Sequence, residues 1–210
     1  MNINILRITV TLAIATCFCC QSVSNGFTSD ELAIINGSDS ILRVLTVENE
    51  ADLAVLRASS SDLSYDMLVS DEYSRLADLM IATVTHPSQD GVGIAGPQVG
   101  LNRRVVAVQR FDKEGEPFEV YPNIKIVWAS DSKVSGPEGC LSVPGRRGEV
   151  LRSQEIVIEY ADVKAIKAGS NIPMLRDTVS GFTAVIFQHE IDHLDGILYI
   201  DRSDYPDQKR

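Results

Sequence analysis

The chain has 210 residues, of which 44% are hydrophobic and 23% charged, with a formal net charge of -10 at pH 7. That is enough to bury the core of one modest domain without disulfides. The acidic balance argues against nucleic acid or an anionic membrane surface as a partner, and no internal repeat is present.

Taken in order, Met1 to Arg7 carries one basic side chain, and Ile8 to Cys20 is an uncharged, mostly apolar run. The run fits the apolar region of a signal peptide and is shorter than the ~20 residues of a membrane span. Ile14-Ala15-Thr16-Cys17 resembles a bacterial lipobox. Residues 1–20 are therefore expected to be a signal peptide, of lipoprotein type, and the protein to be exported, periplasmic or lipid-anchored, with cytoplasmic retention as the alternative. Membrane contact is expected only through that anchor. Residues 21–48 read as a linker, 49–205 as the folded domain and 206–210 as a polar tail.

Within the domain, Ser70 to Thr85 predicts an amphipathic helix with Leu76, Leu79, Met80 and Val84 on one face. The stretch Gly91-Val92-Gly93-Ile94-Ala95-Gly96-Pro97-Gln98-Val99-Gly100 follows. It contains G-x-G-x-x-G, with Asp112 placed about where a dinucleotide fold needs its acidic residue. The context excludes that use: His86-Pro87 precedes the glycines instead of a strand, and strand-like Val105 to Val108 begins before a crossover helix has room to form. The glycines read better as a place where another backbone approaches closely, with Gln98 offering an amide donor. Further strands are expected at Ile124 to Trp128 and Ile156 to Tyr160.

Cys140 stands alone among turn formers in Gly136-Pro137-Glu138-Gly139-Cys140-Leu141-Ser142; the other cysteines are Cys17, Cys19 and Cys20. A structural disulfide is not expected, and a lone cysteine is by itself more often a small buried apolar residue than a ligand. The last strong signal is Gln188-His189-Glu190-Ile191-Asp192-His193. From Phe182, apolar residues recur at helical spacing, with Ser180 as N-cap and Gly196 as terminator. On that helix His189 and His193 lie one turn apart, about 40° around the axis, so both imidazoles can face one metal while Glu190 serves as general base. Phe182, Val185, His189 and His193 follow steps of three and four and are expected on the buried face. Asp192 is either an acceptor for an imidazole N–H or part of a solvated face.

In this order, "GVGIAGPQVG", "EGCLS" and "QHEIDHLDG" resemble the three signature motifs of the peptide deformylases. The resemblance covers roughly residues 50 to 203, including Val55-Leu56-Arg57 and Asp201-Arg202-Ser203. It implies a compact α+β domain with antiparallel strands packed around a central metal-binding helix, and removal of the formyl group from N-formyl-methionyl peptides. It also implies one divalent metal held by Cys140, His189 and His193, with Fe(II) favoured and Zn(II) or Ni(II) as alternatives. A Cys-His-His set suits these softer ions over Mg(II) or Ca(II). The catalytic groups it implies are Glu190, the Gln98 amide and the Leu141 backbone N–H, the latter two as donors to the oxyanion. Val92, Gly93, Glu138 and Gly139 would pair with an extended peptide, while Val92, Val185 and Leu141 would surround the methionine side chain. Two departures are visible: Gly96 stands where relatives usually carry alanine, and Gly136-Pro137 precedes the cysteine block. The other functions weighed are a zinc endopeptidase, sharing His-Glu-x-x-His, and a non-enzymatic formyl-peptide-binding protein.

Overall fold

The computed structural model describes residues 25–37, 40–166, 171–203 and 208–209. The signal-like segment, with Cys17, Cys19 and Cys20, lies outside the described residues. Helix α1 (Ser29–Asn36), α2 (Glu50–Leu56), α3 (Tyr65–Leu68) and α4 (Asp71–Val84) precede the first strand. A first antiparallel sheet follows, β1 (Gly93–Ala95), β2 (Val105–Gln109) and β3 (Phe118–Pro122), ordered β1-β2-β3. The next strands are β4 (Lys125–Ala129), β5 (Lys133–Cys140), β6 (Val143–Ser153), β7 (Glu155–Ala161), β8 (Met174–Ser180) and, past helix α5 (Gly181–Leu194), β9 (Gln208–Lys209). They form two more antiparallel sheets, β4-β7-β8 and β5-β6-β9.

Strand β2 explains how the layers join. Its residues alternate faces, as any strand's do, yet all of Val105 to Val108 are fully buried. Val105 and Ala107 point into a cluster with α4 and α1, whereas Val106 and Val108 point into a second cluster with β7 and α5. An uninterrupted apolar run is what a strand buried on both faces requires. Helix α4 begins at Ser70, whose hydroxyl accepts from the Tyr73 N–H at 3.2 Å, and buries the predicted Leu76, Leu79, Met80 and Val84. Helix α5 is buried almost all round, packs on β1 and β2, and so runs through the middle of the molecule.

Two sequence expectations are corrected. Where the expected linker is described, it is folded: Thr28 and Glu31 form a capping box on α1, and Ile35 and Leu42 are fully buried in the first core cluster. The expected polar tail also takes part in the fold, because Gln208 and Lys209 pair with Arg147 and Arg146 at the edge of β6. The glycine-rich stretch behaves as expected. After β1 the chain makes only a short 3-10 turn, Gly96–Val99, before β2. At Gly96 a Cβ would lie 2.6 Å from the Arg103 carbonyl oxygen and 2.7 Å from that of Leu101, so alanine does not fit here.

Candidate active site

Helix α5 carries three of the expected groups. Ser180 occupies its N-cap in an extended conformation but makes no side-chain cap bond. The Asp112 carboxylate instead accepts from the Thr183 hydroxyl in the first turn, where negative charge suits the helix dipole. Beyond the last turn, Gly196 turns the chain at φ 73°, as a left-handed terminator does. Inside these limits His189, Glu190 and His193 are all buried, at 9%, 4% and 1% exposure.

Cys140 reaches the histidines from the end of β5. Pairing of β5 with β6 shifts between Glu138 and Cys140, the local irregularity by which a strand re-aims a side chain. Its Sγ lies 3.2 Å from His193 Nε2, and the ligand atoms of Cys140, His189 and His193 all fall within 4.8 Å of one another. Among the described residues Cys140 has no disulfide partner.

The remaining groups close around this trio. The Gln98 side-chain oxygen accepts from the Ala95 N–H at 2.8 Å, which fixes the amide and turns its NH2 toward Ser142 Oγ at 3.3 Å and Cys140 Sγ at 3.5 Å. Gly93 lies against Glu190 so closely that a Cβ there would sit 2.5 Å from Glu190 Oε1. Among the described residues, Glu190 Oε2 is buried without a hydrogen-bond partner. These groups face a cavity of about 480 Å³, lined also by Val92, Leu141, Phe182, Val185 and Ile186 and by Glu138, Gly139, Arg146 and Arg147. Every predicted site residue except His193 lines that cavity; His193 is buried behind it against Cys140.

A buried ionic network missing from the sequence analysis holds the ligands in place. Glu138 accepts from His189 Nδ1 at 2.8 Å and from Arg152 at 2.7 and 3.0 Å. Arg152 in turn donates to Asp192 at 2.5 Å, which also accepts from Arg202 at 2.5 and 2.6 Å. Holding Nδ1–H leaves His189 Nε2 free as a ligand. Asp192 is therefore neither an imidazole acceptor nor a solvated group. Glu138, expected to meet the peptide, has its carboxylate committed inward and can offer a peptide only backbone. The Tyr199 ring stacks on His189 at 6.0 Å between centroids. Phe182, expected on the buried face, is instead 57% exposed at the cavity lip.

The site's charges follow from these contacts. Burial pushes the Glu138 carboxyl up, but Arg152 and His189 outweigh it and hold the group at about 2. Burial lifts Glu190 to about 7, the neighbouring Glu138 charge adding to it and His189 opposing. Burial alone would lower His189, yet Cys140 and Glu138 raise it well above an ordinary imidazole. His193 is lowered, first by burial and then by His189. The donors fit a divalent ion: one soft sulfur, two imidazole nitrogens and no crowding carboxylate among the three.

Comparison with known proteins points the same way. The family described as polypeptide deformylase matches residues 41–209. Peptide deformylase 2 of Nostoc sp. is 46% identical over 134 residues, covering 61% of this chain and 70% of that protein. The peptide deformylase of Leptospira biflexa is 36% identical over 155 residues, 70% of this chain and 82% of its own length. Among solved structures, the class I type b peptide deformylase of Acinetobacter baumannii bound to Met-Ala-Ser superposes with a TM-score of 0.66 at 33% identity, covering 79% of this chain and 99% of that one. The Thermotoga maritima peptide deformylase gives 0.66 at 28% identity, covering 80% and 100%.

Proposed function

The chain belongs to the polypeptide deformylase family, and on that premise we propose how its residues divide the work. It removes the formyl group from N-formyl-methionyl peptides and releases formate and a free N-terminal amine. The observation that carries this is the convergence of Cys140, His189 and His193 with Glu190 and Gln98 on one cavity.

Cys140, His189 and His193 would hold a divalent metal, which would supply Lewis acidity and make water more acidic. Ferrous iron is our choice for the resident ion, with zinc or nickel as substitutes that the same donors accept. Glu190 takes the proton of the attacking water with Oε2, the oxygen that has no partner among the described residues, and passes it to the leaving amine. Gln98 Nε2 and the Leu141 N–H donate to the oxygen that gains charge in the tetrahedral state. The Gln98 amide is oriented before substrate arrives, because its oxygen is already held by Ala95. An extended peptide pairs with the backbone at Val92-Gly93 and Glu138-Gly139, and the methionine side chain enters among Val92, Leu141 and Val185. The Glu138–Arg152–Asp192–Arg202 chain positions His189 and does not touch the substrate.

Formate release from an N-formyl-methionyl tripeptide, measured against its unformylated counterpart, tests the assignment. Internal cleavage of unformylated peptide without formate would support an endopeptidase instead.

Export is a separate proposal, supported by Ile8 to Cys20 alone. An exported or lipid-anchored deformylase would act on formyl peptides already released, not on chains at the ribosome. Cell fractionation with fatty-acid labelling tests it, and an unlabelled protein found only in the cytosol would contradict it.

A further inference from the structure

We propose that helix α1, which precedes the residues 41–209 shared with the family, is a positioning element for the reaction, bracing the turn that presents the Gln98 amide to the oxyanion. This rests on the deformylase assignment and deepens it.

The turn needs a brace because it is short and carries a demanding group. Gln98 sits in a single 3-10 turn of four residues, Gly96–Val99, closed by Gly100 in the left-handed conformation at φ 89°, and so short an element has few hydrogen bonds of its own. A catalytic donor must nevertheless stand within about half an ångström of its productive position. The Ala95 N–H fixes the rotation of the amide through its oxygen, but not the place of the turn that carries it.

Helix α1 meets this turn at three points. Ile34 Cδ1 lies 3.0 Å from where a Cβ on Gly100 would sit, so the helix rests directly on the glycine that closes the turn. Arg103 donates to Glu31 from Nε at 2.6 Å and from Nη2 at 3.1 Å, and both side chains are largely buried, at 16% and 13% exposure. The carbonyl of that same Arg103 is one of the two that would crowd a Cβ on Gly96, so the pair fixes the backbone against which the turn begins. Ile35, fully buried, shares its cluster with Val99 and Leu101, the residues on either side of the closing glycine.

The chain that leaves α1 ties the turn once more. The Leu45 N–H donates to the Gln98 carbonyl at 2.8 Å, and the Val47 N–H donates to the Ser142 carbonyl at 2.9 Å. Ser142 Oγ also meets the Gln98 amide, at 3.3 Å. Between the two ties, the Thr46 N–H donates to Asp52, which Arg43 holds at 2.8 Å. One segment thus keeps the Gln98 turn in register with the end of the strand that carries Cys140, and a shift of α1 is felt as a change in where Gln98 stands over that cysteine.

The test is a double-mutant cycle on kcat and KM with N-formyl-Met-Ala-Ser, in which Ile34→Ala is made in the wild-type and in the Gln98→Ala backgrounds. Glu31→Gln, which leaves the apolar core untouched, is carried through the same cycle. The oxyanion forms only past the ground state, so Ile34→Ala should lower kcat about tenfold, a part of the 10² to 10³ that losing a donor outright costs, with KM within about twofold. Metal affinity by chelator competition should stay the same. Once Gln98 is gone the group being positioned is absent, and Ile34→Ala should then cost less than about twofold. Glu31→Gln should lower kcat in the same direction and lose its effect in the same background. An unchanged kcat in both variants, a raised KM with kcat kept, or an equal factor lost with and without Gln98 would overturn the brace and leave the deformylase assignment standing. Metal-loaded wild type that releases no formate defeats that assignment and the brace with it.

Discussion

Gly93 carries as much of the chemistry as the acidic residue it faces. Its missing Cβ is what allows Glu190 to lie against β1, since a methyl there would sit 2.5 Å from Oε1. Gly93→Ala should therefore push the carboxylate aside and lower kcat/KM about a hundredfold, the scale of an ångström-sized misplacement, with little change in melting temperature; near-normal kinetics would refute the packing. Glu138→Gln should act through the metal instead. It weakens the hold on His189 Nδ1 and leaves Arg152 short of a buried counter-charge, so metal affinity should fall 10- to 100-fold by chelator competition. An unchanged affinity would mean that Glu138 does not position His189. His189, Glu190 and His193 were legible in the sequence because their spacing lies within one helix and needs no tertiary information. The Glu138–His189 contact was not, because 51 residues separate its partners and only the shifted register at the end of β5 brings them together.

At the level of elements, α1 carries its own start signal. Thr28-Ser29-Asp30-Glu31 has the capping-box pattern, and both of its reciprocal bonds form, at 2.7 and 3.3 Å; its short length and the signal-like run before it hide the helix in the sequence. Ile35 is fully buried against the core that includes α4, so Ile35→Ala should cost about 2–5 kcal/mol and lower the melting temperature by about 5–15 °C. A linker residue would cost nothing. The joint between α5 and the turn that follows β2 is electrostatic. Arg110 and then Thr183 hold the Asp112 carboxyl below its ordinary value. A carboxylate whose folded pKa is depressed stabilises fully above its unfolded value, about 4, and loses that contribution as pH falls through the lower folded value. Asp112→Asn should accordingly melt below wild type at pH 6, and the gap should narrow from pH 4 downward. A constant gap would show that the charge is not responsible. The two-faced burial of β2 and the apolar stripe of α4 were readable from pattern alone. The exposed position of Phe182 was not, since helical periodicity places a residue on a face but does not say where the facing layer ends.

Across the described residues, three sheets and a nearly encased helix bring residues 93, 98, 140, 189, 190 and 193 to one point. The motifs made the chemistry legible before the fold was known, because each is short and chemically demanding. The sheet order was not legible: a two-residue strand such as β9 has no periodicity to detect. Because three ligands come from two distant segments, the bound metal should also brace the fold. Chelated protein should melt lower, and restoring metal should raise the midpoint with the logarithm of its free concentration. A midpoint indifferent to metal would place the ion elsewhere. The central claim is best tested by formate release from an N-formyl-methionyl peptide with anaerobically purified protein, beside Glu190→Ala, with the metal content of both determined. Turnover in the wild type that falls by a factor of about 10² to 10⁴ in the variant, with metal content equal, is the predicted result; a Glu190→Ala protein that keeps its metal and its full rate would contradict it.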